Sequence, residues 1–181
     1  MRGHCILSHG FESGPDATKV TALAEVAGVL GWSHERPDYT DLDARREAGE
    51  LGDVPARVQR LLGLARDAAA RGPLLLAGSS LGAWISGHVS RLVPVAGLFL
   101  LAPPVRMADA GGKPAPPMEA ARVPTAIVHG WNDELIAADD VLAWAQPRKA
   151  RLLLVDDGHR LTRHAHDCAD AFAVLLRSLA A

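Results

Sequence analysis

Short apolar runs alternate along the chain with longer segments in which apolar residues recur at helical spacing. Six runs stand out: residues 4–9 (HCILSH), 32–37 (WSHERP, the weakest), 73–79 (PLLLAGS), 95–102 (VAGLFLLA), 124–130 (PTAIVHG) and 151–156 (RLLLVD). Their length and mostly unbroken apolar character are those of strands covered on both faces. Between the first two, Val20, Leu23, Ala24, Ala27 and Leu30 keep helical spacing behind Pro15 and Asp16, a proline-plus-acid helix start. Val54, Val58, Leu61, Leu62, Ala65 and Ala69 do the same ahead of the third run. AWISGHVSRL follows the third run and AADDVLAWA the fifth. The chain closes on HAHDCADAFAVLLRSL, with Ala165, Cys168, Phe172, Leu175, Leu176 and Leu179 on one stripe. Each crossover is βαβ-like, which predicts an α/β domain: a mainly parallel sheet with helices on both faces.

Residues 103–123 (PPVRMADAGGKPAPPMEAARV) break this pattern. They are rich in Pro and Gly and lack a helical period, so they read as a loop inserted into one domain. No internal repeat or second apolar core is evident, and residues 1–181 are expected to form a single domain. About half of the chain is apolar and its net charge is −2, values that suit a compact core and give no basic surface for nucleic acid. The most apolar stretch, residues 93–104, holds three prolines and falls far short of the roughly 20 residues of a membrane helix. No apolar run near the N-terminus matches a secretory signal, so the expected location is cytoplasmic. Cys5 lies in an apolar run and Cys168 on a helix face, as packing residues of a reducing compartment do. The Asp/Arg-rich pieces at 38–53 and 146–151 read as solvated surface.

The third run ends in Gly78-Ser79-Ser80-Leu81-Gly82 and passes straight into a helix. A strand that turns this sharply strains the corner residue and needs small neighbours two positions to either side, which Gly78 and Gly82 supply around Ser80. The corner lifts the Ser80 hydroxyl above the carboxyl edge of the sheet, beside the amino end of the helix. A tight turn with a capping serine is the plainer reading. The placement between a buried strand and a helix favours a nucleophile. Such a serine needs a base, and an imidazole base needs a carboxylate to orient it. In an open α/β sheet these partners belong in loops beyond the carboxyl ends of strands. Asp133, in the loop after the fifth run, and His159, in the loop after the sixth, stand there in the chain order Ser, Asp, His.

GSSLG, HGWND and DDGHRL together resemble the nucleophile, acid and histidine loops of the α/β-hydrolase superfamily, and the resemblance covers nearly the whole chain. It is nearest to small cap-less bacterial hydrolases of the esterase and thioesterase kind. LSHGFESGPDA, near the start, is similar to that family's His-Gly-X loop, and the resemblance implies that the backbone N–H groups of Phe11 and Leu81 hold an oxyanion. It also implies an α/β-hydrolase fold of about six strands in the order 2-1-3-4-5-6. Against the full family pattern, the first two strands and a cap domain are expected to be missing from these residues.

Competing residues are close at hand. Ser79 occupies a position of the elbow whose side chain points away from the catalytic face. Asp139 and Asp140 rival Asp133, while Asp156 and Asp157 sit so near His159 that capping suits them better. His164 and His166 fit the start of the last helix; as an H-x-H pair they lack a third metal ligand at suitable spacing, so no metal is expected. His9 and His129 each precede a glycine at a strand end and fit loop-orienting hydrogen bonds. Trp131 and Met107 are candidates to line an acyl pocket; Phe11, Trp84, Met118, Leu135 and Ile136 fit either that role or the core. The expected function is hydrolysis of a small-molecule carboxylic ester or thioester through Ser80, His159 and Asp133, by way of an acyl-enzyme and without a cofactor. One alternative is a hydrolase-shaped binding or regulatory protein with little turnover. Another, a nucleotide-binding α/β domain, lacks the G-x-G-x-x-G that would follow its first strand.

Overall fold

A computed structural model of the chain describes residues 2–106 and 117–180. Six strands, β1 (His4–Ser8), β2 (Ser33–Glu35), β3 (Leu74–Ser79), β4 (Gly97–Leu101), β5 (Thr125–Gly130) and β6 (Arg151–Val155), form one sheet in the order β2-β1-β3-β4-β5-β6. Every neighbouring pair is parallel, as the sequence pattern predicts. The helices are α1 (Thr18–Val29), α2 (Thr40–Asp43), α3 (Val54–Ala69), α4 (Leu81–Ser90), α5 (Ala138–Ala145) and α6 (Ala165–Leu179).

Alternation along the buried strands divides the core into two layers. Ile6, Leu74, Leu76, Leu98, Leu100 and Ile127 face α2 to α5, packing with Leu42, Leu61, Ile85 and Val141. Cys5, Leu7, Leu75, Ala77, Phe99, Leu101, Ala126 and Val128 face α1 and α6, packing with Leu23, Ala27, Phe172 and Leu176. Because each central strand is buried on both faces, its sequence reads as an unbroken apolar run, with the faces assigned by the two-residue period. Phe99 and Phe172 meet with ring centroids 4.9 Å apart, tilted by 55°, and so tie α6 to the sheet. The weak second run forms only a three-residue edge strand, which His4 fastens by contacting Ser33 Oγ at 2.8 Å and Glu35 at 3.1 Å. Cys5 and Cys168 are free and buried, and burial pushes their thiol pKa values up to about 12 and about 11, which leaves them unreactive.

Two expectations are refined. α1 starts at Thr18 without a side-chain cap, and Asp16 instead faces Arg36 at 3.4 Å. Asp53, by contrast, caps α3, accepting the Ala56 N–H at 3.0 Å. The acidic segment 38–53 is not wholly solvated: Tyr39 and Leu42 join the core, and Asp43 is only 5% exposed because it meets a buried arginine. The described flanks of the 103–123 segment contain no helix, and Met118 N–H donates to the Val105 carbonyl at 2.7 Å, which draws them together. Since all strands run in one direction, the segments that follow β1, β3, β5 and β6 emerge along one edge of the sheet.

Candidate active site

Ser80 occupies the turn between β3 and α4 with φ +52° and ψ −120°, a region that a side-chain-bearing residue enters only under strain. Its N–H donates to Leu101 O at 2.8 Å, and its carbonyl accepts the Ala83 N–H at 2.8 Å. The flanking glycines are a packing requirement: a Cβ at Gly78 would collide with the Gly82 carbonyl, and a Cβ at Gly82 with the Ser8 carbonyl. The elbow therefore lies pressed between its own helix and the end of β1.

The loop after β5 brings in the carboxylate. Trp131 N–H donates to Val155 O at 2.8 Å and Asn132 N–H to Asp157 O at 3.0 Å, so this loop is bound to the one after β6. Asp133 Oδ1 accepts the N–H groups of Leu135 and Ile136, each at 2.9 Å, and its side chain is fully buried. Burial by itself raises the pKa of this carboxyl, but hydrogen bonds from His159, Ile136 and Leu135 outweigh it and hold the value below the ordinary range. Asp133 is therefore an anion at neutral pH.

His159 lies between the two groups, with Nδ1 2.8 Å from Asp133 Oδ2 and Nε2 2.8 Å from Ser80 Oγ. An ionised carboxylate only accepts, so Nδ1 carries the hydrogen and the lone pair of neutral Nε2 faces the serine hydroxyl. Asp157 stabilises the histidine loop from beneath. It accepts from Gly158 N and Arg163 N, each at 2.9 Å, and meets His164 Nδ1 at 3.1 Å. Glu134, which sequence reading did not single out, takes the His159 backbone N–H at 3.1 Å. Its position one residue after the acid was the available signal.

The loop after β1 lies alongside. A Cβ on Gly10 would come within 3.5 Å of Ser80 Cβ. Among the described residues no acceptor takes the N–H of Phe11 or of Leu81, the first residue of α4. His9 and His129 orient loops: His9 Nε2 accepts the Tyr39 N–H at 3.0 Å, and His129 Nε2 donates to Ile136 O at 3.0 Å. Burial lowers the pKa of both rings, so they are neutral.

The remaining candidates separate. Trp131 is 55% exposed on the rim of the acid loop, and Met107 lies outside the described residues. Met118 is core: it packs on Gly87, and its carbonyl accepts the Trp144 indole N–H at 2.6 Å. Ser79 is buried and forms the last residue of β3. His166 faces Asp170 at 3.5 Å on an exposed helix surface. Among the described residues no cluster of three or more His, Cys, Asp or Glu side chains could hold a metal ion, and no helix is long and apolar enough to cross a membrane. A cavity of about 490 Å³ beside Arg91, Trp144 and Arg148 includes none of the residues around Ser80. A smaller hollow of about 310 Å³, beside Glu12, Thr40, Asp43 and Arg46, adjoins the Gly10–Phe11 loop.

Comparison with known proteins agrees with this architecture. A crystal structure of a protein from Xanthomonas campestris pv. campestris, assigned to the alpha/beta hydrolase superfamily, is 64% identical over 97% of this chain and 99% of that chain, with a TM-score of 0.92. Est1E from Butyrivibrio proteoclasticus shares the fold at 17% identity, covering 98% of this chain and 88% of that one, with a TM-score of 0.74. A lid-less serine hydrolase from Xanthomonas campestris shares it at 18% identity, 96% and 81% coverage, and a TM-score of 0.66. No curated protein matches the sequence. Residues 1–175 match the family described as an alpha/beta hydrolase domain. With that match over nearly its whole length, and with six parallel strands in the order 2-1-3-4-5-6, the chain belongs to the α/β-hydrolase family.

Proposed function

We propose that the protein is a single-domain serine hydrolase that cleaves a carboxylic ester or thioester of a small molecule. The observation that carries this reading is the imidazole of His159, 2.8 Å from both Ser80 Oγ and Asp133 Oδ2. Ser80 Oγ attacks the carbonyl carbon as its proton passes to His159 Nε2. Asp133 fixes the tautomer and stabilises the imidazolium that forms. The N–H groups of Phe11 and Leu81 receive the negative charge on the carbonyl oxygen. Donors of this kind contribute about 3 kcal/mol each to the lowering of the barrier. The tetrahedral intermediate collapses as His159 gives its proton to the departing alcohol or thiol, leaving an acyl ester on Ser80. Water then attacks that ester with His159 as base, the acid leaves, and the serine regains its proton. Trp131, exposed in the loop after β5, is assigned to contact the acyl or leaving group.

Esters and thioesters are the intrinsically easier acyl donors, since an alcohol or thiol needs less help in departing than an amine. The names of similar structures support esters: Est1E has also been solved with ferulic acid bound, at 17% identity to this chain. The test is hydrolysis of short p-nitrophenyl esters and acyl thioesters by the protein and by Ser80→Ala. Turnover by the parent and a loss of about 10⁶-fold in kcat in the variant are expected. Equal rates would assign the activity to something other than Ser80. A protein with a binding role only would show no turnover in either form.

A further inference from the structure

Among the described residues, Arg57 heads the fully buried side chains in size. It projects from α3 beneath the loop that follows β1, and its guanidinium is clasped by Asp43, with Nε 2.7 Å from Oδ1 and Nη2 2.5 Å from Oδ2. The same guanidinium donates to two backbone carbonyls, Nη1 to His9 O and Nη2 to Gly10 O, each at 3.3 Å. Asp43 Oδ2 in turn accepts the Glu12 N–H at 3.1 Å. The pair thus holds the main chain on both sides of Phe11 and leaves out the Phe11 N–H itself.

The consequence follows from peptide geometry. The Gly10 carbonyl and the Phe11 N–H belong to one planar trans unit and point in opposite directions. When Gly10 O turns toward Arg57, the Phe11 N–H must turn away from it. His9 adds a second donor to the same carbonyl, its Nδ1 2.7 Å from Gly10 O, because its Nε2 is occupied by the Tyr39 N–H. Glu12 sits at φ +52°, a strained setting for a side-chain-bearing residue that the Asp43 hydrogen bond helps to hold. Tyr39 closes the cluster, with its ring 4.7 Å from the Arg57 guanidinium carbon. A buried ion pair is an inefficient way to gain stability, since apolar residues of similar volume often do as well or better. Its use here is in its directed hydrogen bonds.

Building on the hydrolase reading above, we propose that Arg57 and Asp43 are a positioning pair that aims the Phe11 amide at the oxyanion by locking the Gly10–Phe11 and Phe11–Glu12 peptides. They touch neither substrate nor Ser80. Their effect is exerted through the backbone of the loop after β1.

The test compares the parent, Arg57→Lys and the volume-matched double variant Arg57→Met/Asp43→Leu. It measures kcat and KM on a p-nitrophenyl ester, inhibition by an aryl trifluoromethyl ketone, and thermal unfolding. The ketone adds to the serine as an oxyanion, so its affinity follows the donors and not the nucleophile alone. The double variant is expected to unfold near the parent's temperature, with kcat lower by about 10²–10³-fold, the loss typical of one missing oxyanion donor. KM should stay within about threefold, and ketone affinity should weaken by the same factor as kcat. Arg57→Lys, which keeps the charge but not the fork, should fall between the two. A folded double variant with parental kcat, or with reduced kcat and unchanged ketone affinity, overturns the proposal. If the double variant does not fold, Arg57→Lys decides by the same two readings. Parental turnover abolished by Ser80→Ala establishes the hydrolase reading separately, so a fully active clamp variant removes the clamp alone.

Discussion

Replacing Asp133 by asparagine tests how the site holds its base, because three hydrogen bonds determine what the new side chain can do. In the parent, Oδ1 accepts from the N–H groups of Leu135 and Ile136 at 2.9 Å, while Oδ2 accepts from His159 Nδ1 at 2.8 Å. An asparagine has one carbonyl and one NH₂ to share between these directions. Turning the NH₂ toward the two backbone donors would set donor against donor twice and forfeit two hydrogen bonds, at roughly 1 kcal/mol or more each. The carbonyl therefore stays on the backbone and the NH₂ faces His159. The imidazole must then accept at Nδ1 and carry its hydrogen on Nε2, pointing at Ser80 Oγ, where it cannot take the serine proton. Loss of the correct tautomer in this manner is worth about 10⁴ in kcat, or about 5.5 kcal/mol of barrier. That magnitude comes from the equivalent substitution in a serine protease. Steady-state kinetics on a p-nitrophenyl ester should show the fall in kcat with KM within a few-fold. An Asp133→Asn protein within tenfold of parental kcat would refute the role assigned to the carboxylate.

Gly82→Ala places a Cβ against the Ser8 and His9 carbonyls, backbone atoms that cannot rotate aside, so it should lower stability by about 1–3 kcal/mol in urea titration and displace the elbow enough to reduce activity. The buried histidines contribute to the acid side of the stability profile. His9 and His129 titrate near 6.5 when unfolded but have lower pKa values in the fold, so unfolding takes up protons as the pH drops through that value. Stability should then decline from pH 7 toward pH 5, by at most about 1.4 kcal/mol per pH unit for each ring. Thermal melts across this range should show the decline, and a flat profile would mean that the rings are not held neutral.

The parts of this protein written in its sequence are those that depend on local pattern. The central strands are apolar on consecutive residues because both faces are covered, and Gly78 and Gly82 mark the elbow because backbone approaches backbone there. Ser80, Asp133 and His159 could be picked out because parallel strands deliver the loops that follow them to one edge. Residues whose role depends on a distant partner were harder to read. Asp43 stands in an Asp/Arg-rich stretch that looks solvated, and nothing local reveals that it is buried. Arg57 did leave a signal: it interrupts the apolar stripe of α3, three residues after Val54 and four before Leu61, where a charge has to find a buried partner. The edge strand β2 is short, and its sequence is correspondingly weak.

The proposed chemistry depends on the His159 imidazole, held by Asp133, activating Ser80. The most direct measurement is reaction of the folded protein with a fluorophosphonate, followed by intact mass and peptide mapping, for the parent and for His159→Gln. One adduct is expected, on the peptide containing Ser80 and at that residue, formed at least about 10³-fold more slowly in the variant. An unmodified parent, an adduct on Ser79 or elsewhere, or equal labelling of the two proteins would contradict it.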